Sequence, residues 1–480
     1  NMISFCVGII CLILGYFFYG SFIEKLFGAD PNRVTPATTL NDGVDFIPMR
    51  PWRLYMVQFL NIAGLGPIFG PILGAMYGPS AFIWIVLGGI FAGAVHDYFS
   101  GMLSLRQDGA TIAEVIGEQL GMPARQFMRF FSIILLILVG VVFTLGPAKL
   151  LASLTGVSYL VWVVFIVIYY ILATLLPIDK IIGRVYPFFG GLLLFMAVAL
   201  MVMLFINYDK IPEINLSSLR NFHVNPEKFP LFPMLFITIA CGALSGFHAT
   251  QSPLAARCLT NEKRGKQVFF GGMISESVVG LIWAAVALTF FGGAAGLNTA
   301  LTEHGSNAAW LVNTVCEGWL GKFGAVIAIL GVVVCPITSG DTALRSVRLA
   351  IGDILKLPQK PIKNRFLITI PLFAIVIAVC TLDFGVVWRY FAWSNQTLAT
   401  LVLWGTGAWL VRHGKMSWPA VVPAVFMTVI AVCYILTAPE GFQLRWNISF
   451  IAGIVTATIV TIIFMIWKIR FRKQAVNNQE

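Results

Sequence analysis

Charged side chains are scarce in this sequence. Asp, Glu, Lys and Arg make up 11% of the 480 residues, where a soluble globular chain carries about 25%. Hydrophobic residues make up 58%, so the chain cannot cover itself with polar groups in water, and most of its surface must meet lipid. Alternating segments of about ten residues are missing, which excludes a membrane β-barrel. No Walker motif occurs, so ATP is not the driving force, and HExxH is absent. The eight cysteines form no CxxC pair. Cys6, Cys11, Cys241, Cys335, Cys380 and Cys433 lie within apolar runs and read as small, buried, reduced residues.

What is present is a series of apolar runs, each about as long as a bilayer-spanning helix. Lipid leaves every backbone N–H and C=O to be paired inside the protein, so these runs predict an all-α polytopic membrane protein. Thirteen spans are read, at 2–24, 54–77, 80–105, 127–149, 157–177, 186–207, 231–253, 267–292, 323–344, 366–383, 386–410, 418–437 and 447–467. The first run has no basic leader and no A-x-A-like site after it, and is read as a retained span. Alternating the loops places 25 of the 32 Lys and Arg on one side. By the positive-inside rule the N-terminus is outside and the C-terminus cytoplasmic. The net charge of +11 is thereby a membrane property and no sign of a nucleic-acid partner. Residues 28–53 read as a polar cytoplasmic loop, 108–121 as a short amphipathic helix, and 208–229 and 294–321 as long external loops.

Two spans are interrupted. The second carries Gly64-Leu65-Gly66-Pro67 and Gly70-Pro71 at its centre; the seventh carries Gly242, Gly246 and Pro253. Proline lacks an N–H and clashes with the preceding turn, and glycine weakens a helix, so both should break near mid-membrane. They lie five spans apart and cross in opposite directions. Residues 54–207 and 208–411 then form two inverted five-helix repeats, preceded by 1–53 and followed by 412–480 with two helices and a basic tail. Paired broken helices point to a transporter's central site. Half-helix N-termini carry partial positive charge and free N–H groups, which suit a carboxylate.

Polar groups inside the spans each need a reason, because an ionisable group at mid-membrane costs about 2.5–3.5 kcal/mol. His96-Asp97 in span 3 reads as a structural pair or a proton relay. Glu276 in span 8 reads as a paired carboxylate or a protonatable coupling group, and His248 follows the break in span 7. Gln58 and Asn61 precede the first break, Ser245 and Gln251 flank the second, and Asn395-Gln396 lie in span 11, as helix-to-helix glue or substrate contacts. Thr338-Ser339-Gly340-Asp341-Thr342 in span 9 offers hydroxyls and a carboxylate to a hard cation; the alternative is an Asp341–Arg345 pair at i, i+4.

Several of these motifs carry a resemblance. Asn41-Asp42-Gly43-Val44-Asp45-Phe46, Ala63-Gly64-Leu65-Gly66-Pro67-Ile68-Phe69-Gly70-Pro71, Ala92-Gly93-Ala94-Val95-His96-Asp97, Cys241-Gly242-Ala243-Leu244-Ser245-Gly246-Phe247-His248 and Ser394-Asn395-Gln396 occur in order along most of the chain. The sequence resembles the carbon starvation protein A (CstA) family. The resemblance implies an inner-membrane transporter of peptides or pyruvate with a leucine transporter-type core, driven by a cation gradient. After His248 the chain reads Ala249-Thr250-Gln251-Ser252-Pro253, where the resemblance leads one to expect more serine and threonine. In leucine transporter-like folds, carbonyls of the first core helix and hydroxyls of the eighth form a sodium site. Here that pairs Ala63 and Gly64 with Thr338, Ser339, Asp341 and Thr342, for Na⁺ or H⁺. Expected substrate contacts are Gly64, Gly66, Pro67, Gly70, Gly242 and Gly246 with the polar residues around the breaks. Apart from that coupling ion no cofactor is expected; the partners are a small-molecule or peptide substrate and the bilayer, with the oligomeric state left open. The competing functions are a channel or sensor without coupling and an intramembrane aspartyl protease using Asp97 and Asp341.

Overall fold

The computed structural model describes residues 2–42, 46–175, 179–358 and 361–477. Gly43, Val44 and Asp45 of the first motif, and Lys360, lie outside them. Helices follow one another along the chain: α1 (Ile3–Phe27), α2 (Pro51–Ile62), α3 (Gly66–Gly74), α4 (Ser80–Arg106), α5 (Met122–Thr155), α6 (Tyr159–Leu175) and α7 (Asp179–Ile206). The second half contains α8 (Leu231–Thr238), α9 (Gly246–Ala256), α10 (Glu262–Phe290), α11 (Ala308–Ile354), α12 (Ile362–Cys380), α13 (Phe384–Arg412), α14 (Trp418–Thr437) and α15 (Trp446–Asn477).

Among the described residues nine helices are long and apolar enough to cross a membrane, or ten when the bent α2–α3 pair is taken as one span. The remaining predicted spans are also helical. Of these, α6 is described over 17 residues, up to Leu175, α13 carries Arg389, Asn395 and Gln396, and the α8–α9 pair is interrupted. Both predicted breaks are present. The first lies at Ala63–Leu65, with a bend of 48° between α2 and the helical segment that runs on from α3 to Tyr77. Pro67 sits in the first turn of α3, where its missing N–H is not needed. The second break is longer and begins earlier than the glycines suggested, running from Ile239 to Ser245, with Gly242 at φ +87°.

The region 294–321, expected to be a loop, is largely helical. Ala294–Glu303 forms a short helix, and α11 begins at Ala308 and turns at Gly321, where φ is +68°. The alanines of Ala294-Ala295 and Ala308-Ala309 favour helix, and the Asn298 amide donates to the Met76 and Phe222 carbonyls at 2.8 and 3.0 Å, tying the segment to the end of the first interrupted span. The short helix expected within 108–121 is present as Ile112–Leu120.

Loop residues meet near both ends of α1. At the basic end Met49 N–H donates to the Cys258 carbonyl, so the start of α2 meets the end of α9 and the two interrupted spans run antiparallel. Glu262, fully buried, receives Arg106 at 3.0 Å and the Asp30 N–H at 2.8 Å. At the opposite end Glu213 caps the start of α1 by accepting from the Ile3 and Ser4 N–H groups and the Ser4 hydroxyl. Burial opposes ionisation there, but the Ser4 hydroxyl and these N–H donors outweigh it and hold the Glu213 carboxyl below its usual range. His223 packs beside Tyr77 and Phe229, and burial pushes it down to about 4.

Candidate functional site

The two breaks are pressed together at positions where only glycine fits. A Cβ on Gly66 would lie 2.4 Å from the Cys241 Cβ and Sγ. One on Gly246 would lie 2.3 Å from the Asn395 carbonyl and 2.7 Å from the Ala399 nitrogen. Gly93 of α4 lies just as close to the Ala243 carbonyl, so α4 passes directly behind the second break. Gly70 faces the Thr238 carbonyl at the end of α8, and Gly242 faces Pro67 and Gly280.

A broken helix leaves carbonyls and N–H groups that cannot stay bare in lipid. On the second break, α13 supplies the partners. Asn395 Nδ2 donates to the Ala240 carbonyl at 2.8 Å and to the Ser245 hydroxyl at 3.0 Å. Asn395 Oδ1 accepts from the Phe247 N–H at 2.6 Å, capping α9. Gln396 Nε2 donates to the Phe236 and Ile239 carbonyls at 3.2 and 3.3 Å. The expected polar pair in span 11 thus acts as glue on a broken backbone. The N-cap residue of α3, Leu65, makes no side-chain cap hydrogen bond.

The ionisable residues of spans 3, 7 and 8 converge beside these breaks. His248 Nδ1 lies 2.7 Å from Asp97 Oδ2, and His96 Nδ1 lies 2.8 Å from Asp97 Oδ1. A carboxylate only accepts, so each Nδ1 carries the proton it donates. His248 Nε2 lies 3.3 Å from Glu276 Oε2, within ion-pair reach though not aligned as a hydrogen bond. His96, Asp97, His248 and Glu276 are all fully buried. Cys241 joins them: one donor atom from each of Cys241, His248 and Glu276 falls within a 4.8 Å cluster. Cys241 was read from the sequence as a small buried residue. Its place at the start of the motif that ends in His248 was the available signal.

The other expected residues are more dispersed. Gln58 is buried beside Gly272 of α10, with neither end of its amide hydrogen-bonded. Asn61 is also buried, and Gln251, buried too, donates to the neighbouring Thr250 hydroxyl at 3.1 Å. In α11 the Thr338 hydroxyl donates to the Cys335 carbonyl at 2.8 Å and the Thr342 hydroxyl to the Thr338 carbonyl at 3.1 Å. Asp341 pairs with Arg345 at 3.3 Å, the alternative weighed from the sequence. Ser339 is buried, and its hydroxyl has no hydrogen-bond partner. Phe143 of α5 lies with its ring against Gly64 and its Cβ against Gly340, standing between the first break and the α11 run. Phe143 and the hub at Glu262 were missed in the sequence, because an apolar residue in an apolar run and an acid in a basic loop carry no local mark.

Comparison with known proteins settles the lineage. The carbon starvation protein CstA family profile matches residues 1–157, 146–317 and 298–433. The chain belongs to that family. The peptide transporter CstA of Campylobacter jejuni is 26% identical over 95% of this chain and 83% of its own. The pyruvate/proton symporter BtsT of Escherichia coli is 29% identical over 56% of this chain and 46% of its own. The crystal structure of MhsT in complex with L-phenylalanine superposes with a TM-score of 0.56 at 11% identity, covering 85% of this chain and 97% of that one. That likeness shows the fold alone, the leucine transporter-type architecture expected of the CstA family.

Proposed function

We propose that this protein is a secondary active transporter of the cytoplasmic membrane that takes up peptides or a small carboxylate such as pyruvate by alternating access, coupled to H⁺ or Na⁺. The observation that carries the reading is the contact of the start of α3, at Gly66, with Cys241 in the break that precedes α9, one interrupted span from each crossing direction. The naming of CstA relatives as peptide transporters and of BtsT as a pyruvate/proton symporter supports the substrate class. Helix starts attract carboxylates. Asn395 of α13 caps α9, and the N-cap residue of α3, Leu65, offers no capping side chain of its own, so the start of α3, at Gly64, Gly66 and Pro67, is taken as the carboxylate end of the site. The inverted repeats are 54–207 and 208–411, with the N-terminus outside and the C-terminus cytoplasmic.

Coupling by a proton uses Glu276, His248 and Asp97. They form a buried chain across α10, α9 and α4, and a proton moved along it changes the charge between the repeats. A Na⁺ reading is favoured by one observation, the buried unpartnered hydroxyl of Ser339, two residues before Asp341 on α11. The test is counterflow and uptake in proteoliposomes with pyruvate, lactate, amino acids and di- and tripeptides, with and without H⁺ or Na⁺ gradients. A carrier exchanges labelled for unlabelled substrate and accumulates it with one gradient. Absence of trans-stimulation for every compound sinks the proposal and returns the channel reading; peptide cleavage without accumulation returns the protease reading.

A further inference from the structure

Cys241, His248 and Glu276 form a donor set with a chemistry that hydrogen bonding alone leaves incomplete. All three are buried. The Gly242 N–H faces Glu276 and the Cys241 thiol faces His248, but neither Glu276 oxygen nor His248 Nε2 has an aligned hydrogen-bond partner, in a lipid-embedded interior where such groups are costly. His248 Nδ1–H is committed to Asp97 at 2.7 Å. That bond fixes the ring and leaves Nε2, as a bare lone pair or a second N–H, turned toward Glu276 and Cys241. A histidine oriented by a carboxylate through one nitrogen and offering the other is the arrangement that metal-binding proteins use.

We infer that this cluster is a binding site for a zinc-class transition-metal ion, held by Cys241 Sγ, His248 Nε2 and a Glu276 oxygen, with Asp97 orienting the imidazole. The spacing fits. Zinc takes His nitrogen and carboxylate oxygen at about 2.0–2.2 Å in a tetrahedron, which puts those two donors about 3.3–3.5 Å apart. Here His248 Nε2 and Glu276 Oε2 are 3.3 Å apart. The sulfur falls within the same 4.8 Å cluster. Charge fits as well. A divalent ion held by one thiolate, one carboxylate and one neutral imidazole gives a net-neutral unit, the least costly form in low dielectric. Binding displaces the Cys241 thiol proton to solvent, together with any proton on Glu276. The Ser245 hydroxyl at 3.3 Å and the Asn395 amide at 3.7 Å from the sulfur are donors to the thiolate so formed. Sulfur and imidazole select a borderline or soft ion over Na⁺, Mg²⁺ or Ca²⁺. Three protein ligands leave a fourth position open. The inference goes beyond the transport reading and does not depend on it, since binding is measured without uptake.

The experiment uses the untagged full-length protein in lipid nanodiscs, stripped with a chelator and titrated with Co²⁺ and then Zn²⁺. The expected result is one Co²⁺ per chain with a thiolate-to-cobalt charge-transfer band, displaced by Zn²⁺. Cys241→Ser should abolish the band, Cys433→Ser should keep it, and Glu276→Gln should weaken binding at least tenfold. No stoichiometric binding to the folded wild type, a band that survives Cys241→Ser, or unchanged affinity in Glu276→Gln each overturns the site.

Discussion

Two regions read alike in the sequence and differ in the structure. His96-Asp97, His248 and Glu276 on one hand, and Thr338-Ser339-Gly340-Asp341-Thr342 on the other, are both polar runs inside spans. The first set has partners brought from three spans: Asp97 is met by His248, and His248 by Glu276. In the second, Thr338 bonds to Cys335, Thr342 to Thr338 and Asp341 to Arg345, all within α11, and Arg345 reaches another helix, at the Ala173 carbonyl of α6. A polar group satisfied by its own helix costs little and can remain for structural reasons. Groups that must be assembled from separate spans hold those spans in one arrangement, and any change in their protonation or ligation is felt by all of them.

That contrast can be broken by substitution. The largest effect is expected where the assembled region is tightest. Gly246→Val drives its side chain into the α13 backbone, an overpacking that costs about 3 kcal/mol or more, so little monodisperse protein should survive solubilisation. Gly191→Ala, with nothing within 4 Å, should behave as wild type in the same assay. Gly66→Val meets Cys241 before any substrate, so its loss of uptake has to be read beside its thermal stability.

Glu276→Gln should retain counterflow yet lose accumulation driven by a pH gradient; full accumulation would move Glu276 to the structural side. Asn395→Ala orphans the Phe247 N–H and the Ala240 carbonyl, each worth about 1–3 kcal/mol, and should lower the melting temperature clearly. Asp341→Asn leaves Arg345 without its buried charge partner and should also lower the melting temperature. If Asp341→Asn or Ser339→Ala shifts the Na⁺ dependence of uptake at fixed pH, the α11 run joins the site; an unchanged profile in both leaves it structural.

The smallest effect is at the outer loop. His223 titrates near 6.5 when unfolded and is held down to about 4 by burial in the native loop. Its contribution is therefore intact above 6.5 and is lost as pH falls from there toward 4. Hydrogen-exchange protection of residues 208–229 should fall through that window, and less steeply in His223→Gln.

The fold was legible because lipid leaves the backbone few choices. Run length, the glycines and prolines at 64–71 and 242–253, and the opposite directions of the two spans led to the architecture. The segment 294–321 was misread because short alanine-rich helices have no apolar run to announce them. At the site, Gly66, Gly246, His248 and Glu276 were legible as residues out of place in an apolar span. What could not be read was who meets whom. The contact of Gly66 with Cys241 and the Asn395 cap on α9 join residues roughly 150 or more positions apart, a pairing no local pattern encodes. Asn395-Gln396 was read as helix-to-helix glue or a substrate contact, and its bonds to the bare backbone of the second break emerged only with packing.

The basic end of α1 has a consequence for how the molecule is made. The last carbonyls of that helix, Leu26 and Phe27, accept from Lys415 Nζ at 2.7 and 2.6 Å. Lys415 is synthesised 388 residues after Phe27, which at about 5–20 residues per second is on the order of 20–80 s later. Throughout that interval the end of α1 must rely on water for those bonds. These two carbonyls of α1 are thus among the last groups to be satisfied, and a ribosome that stalls before Lys415 leaves them to water.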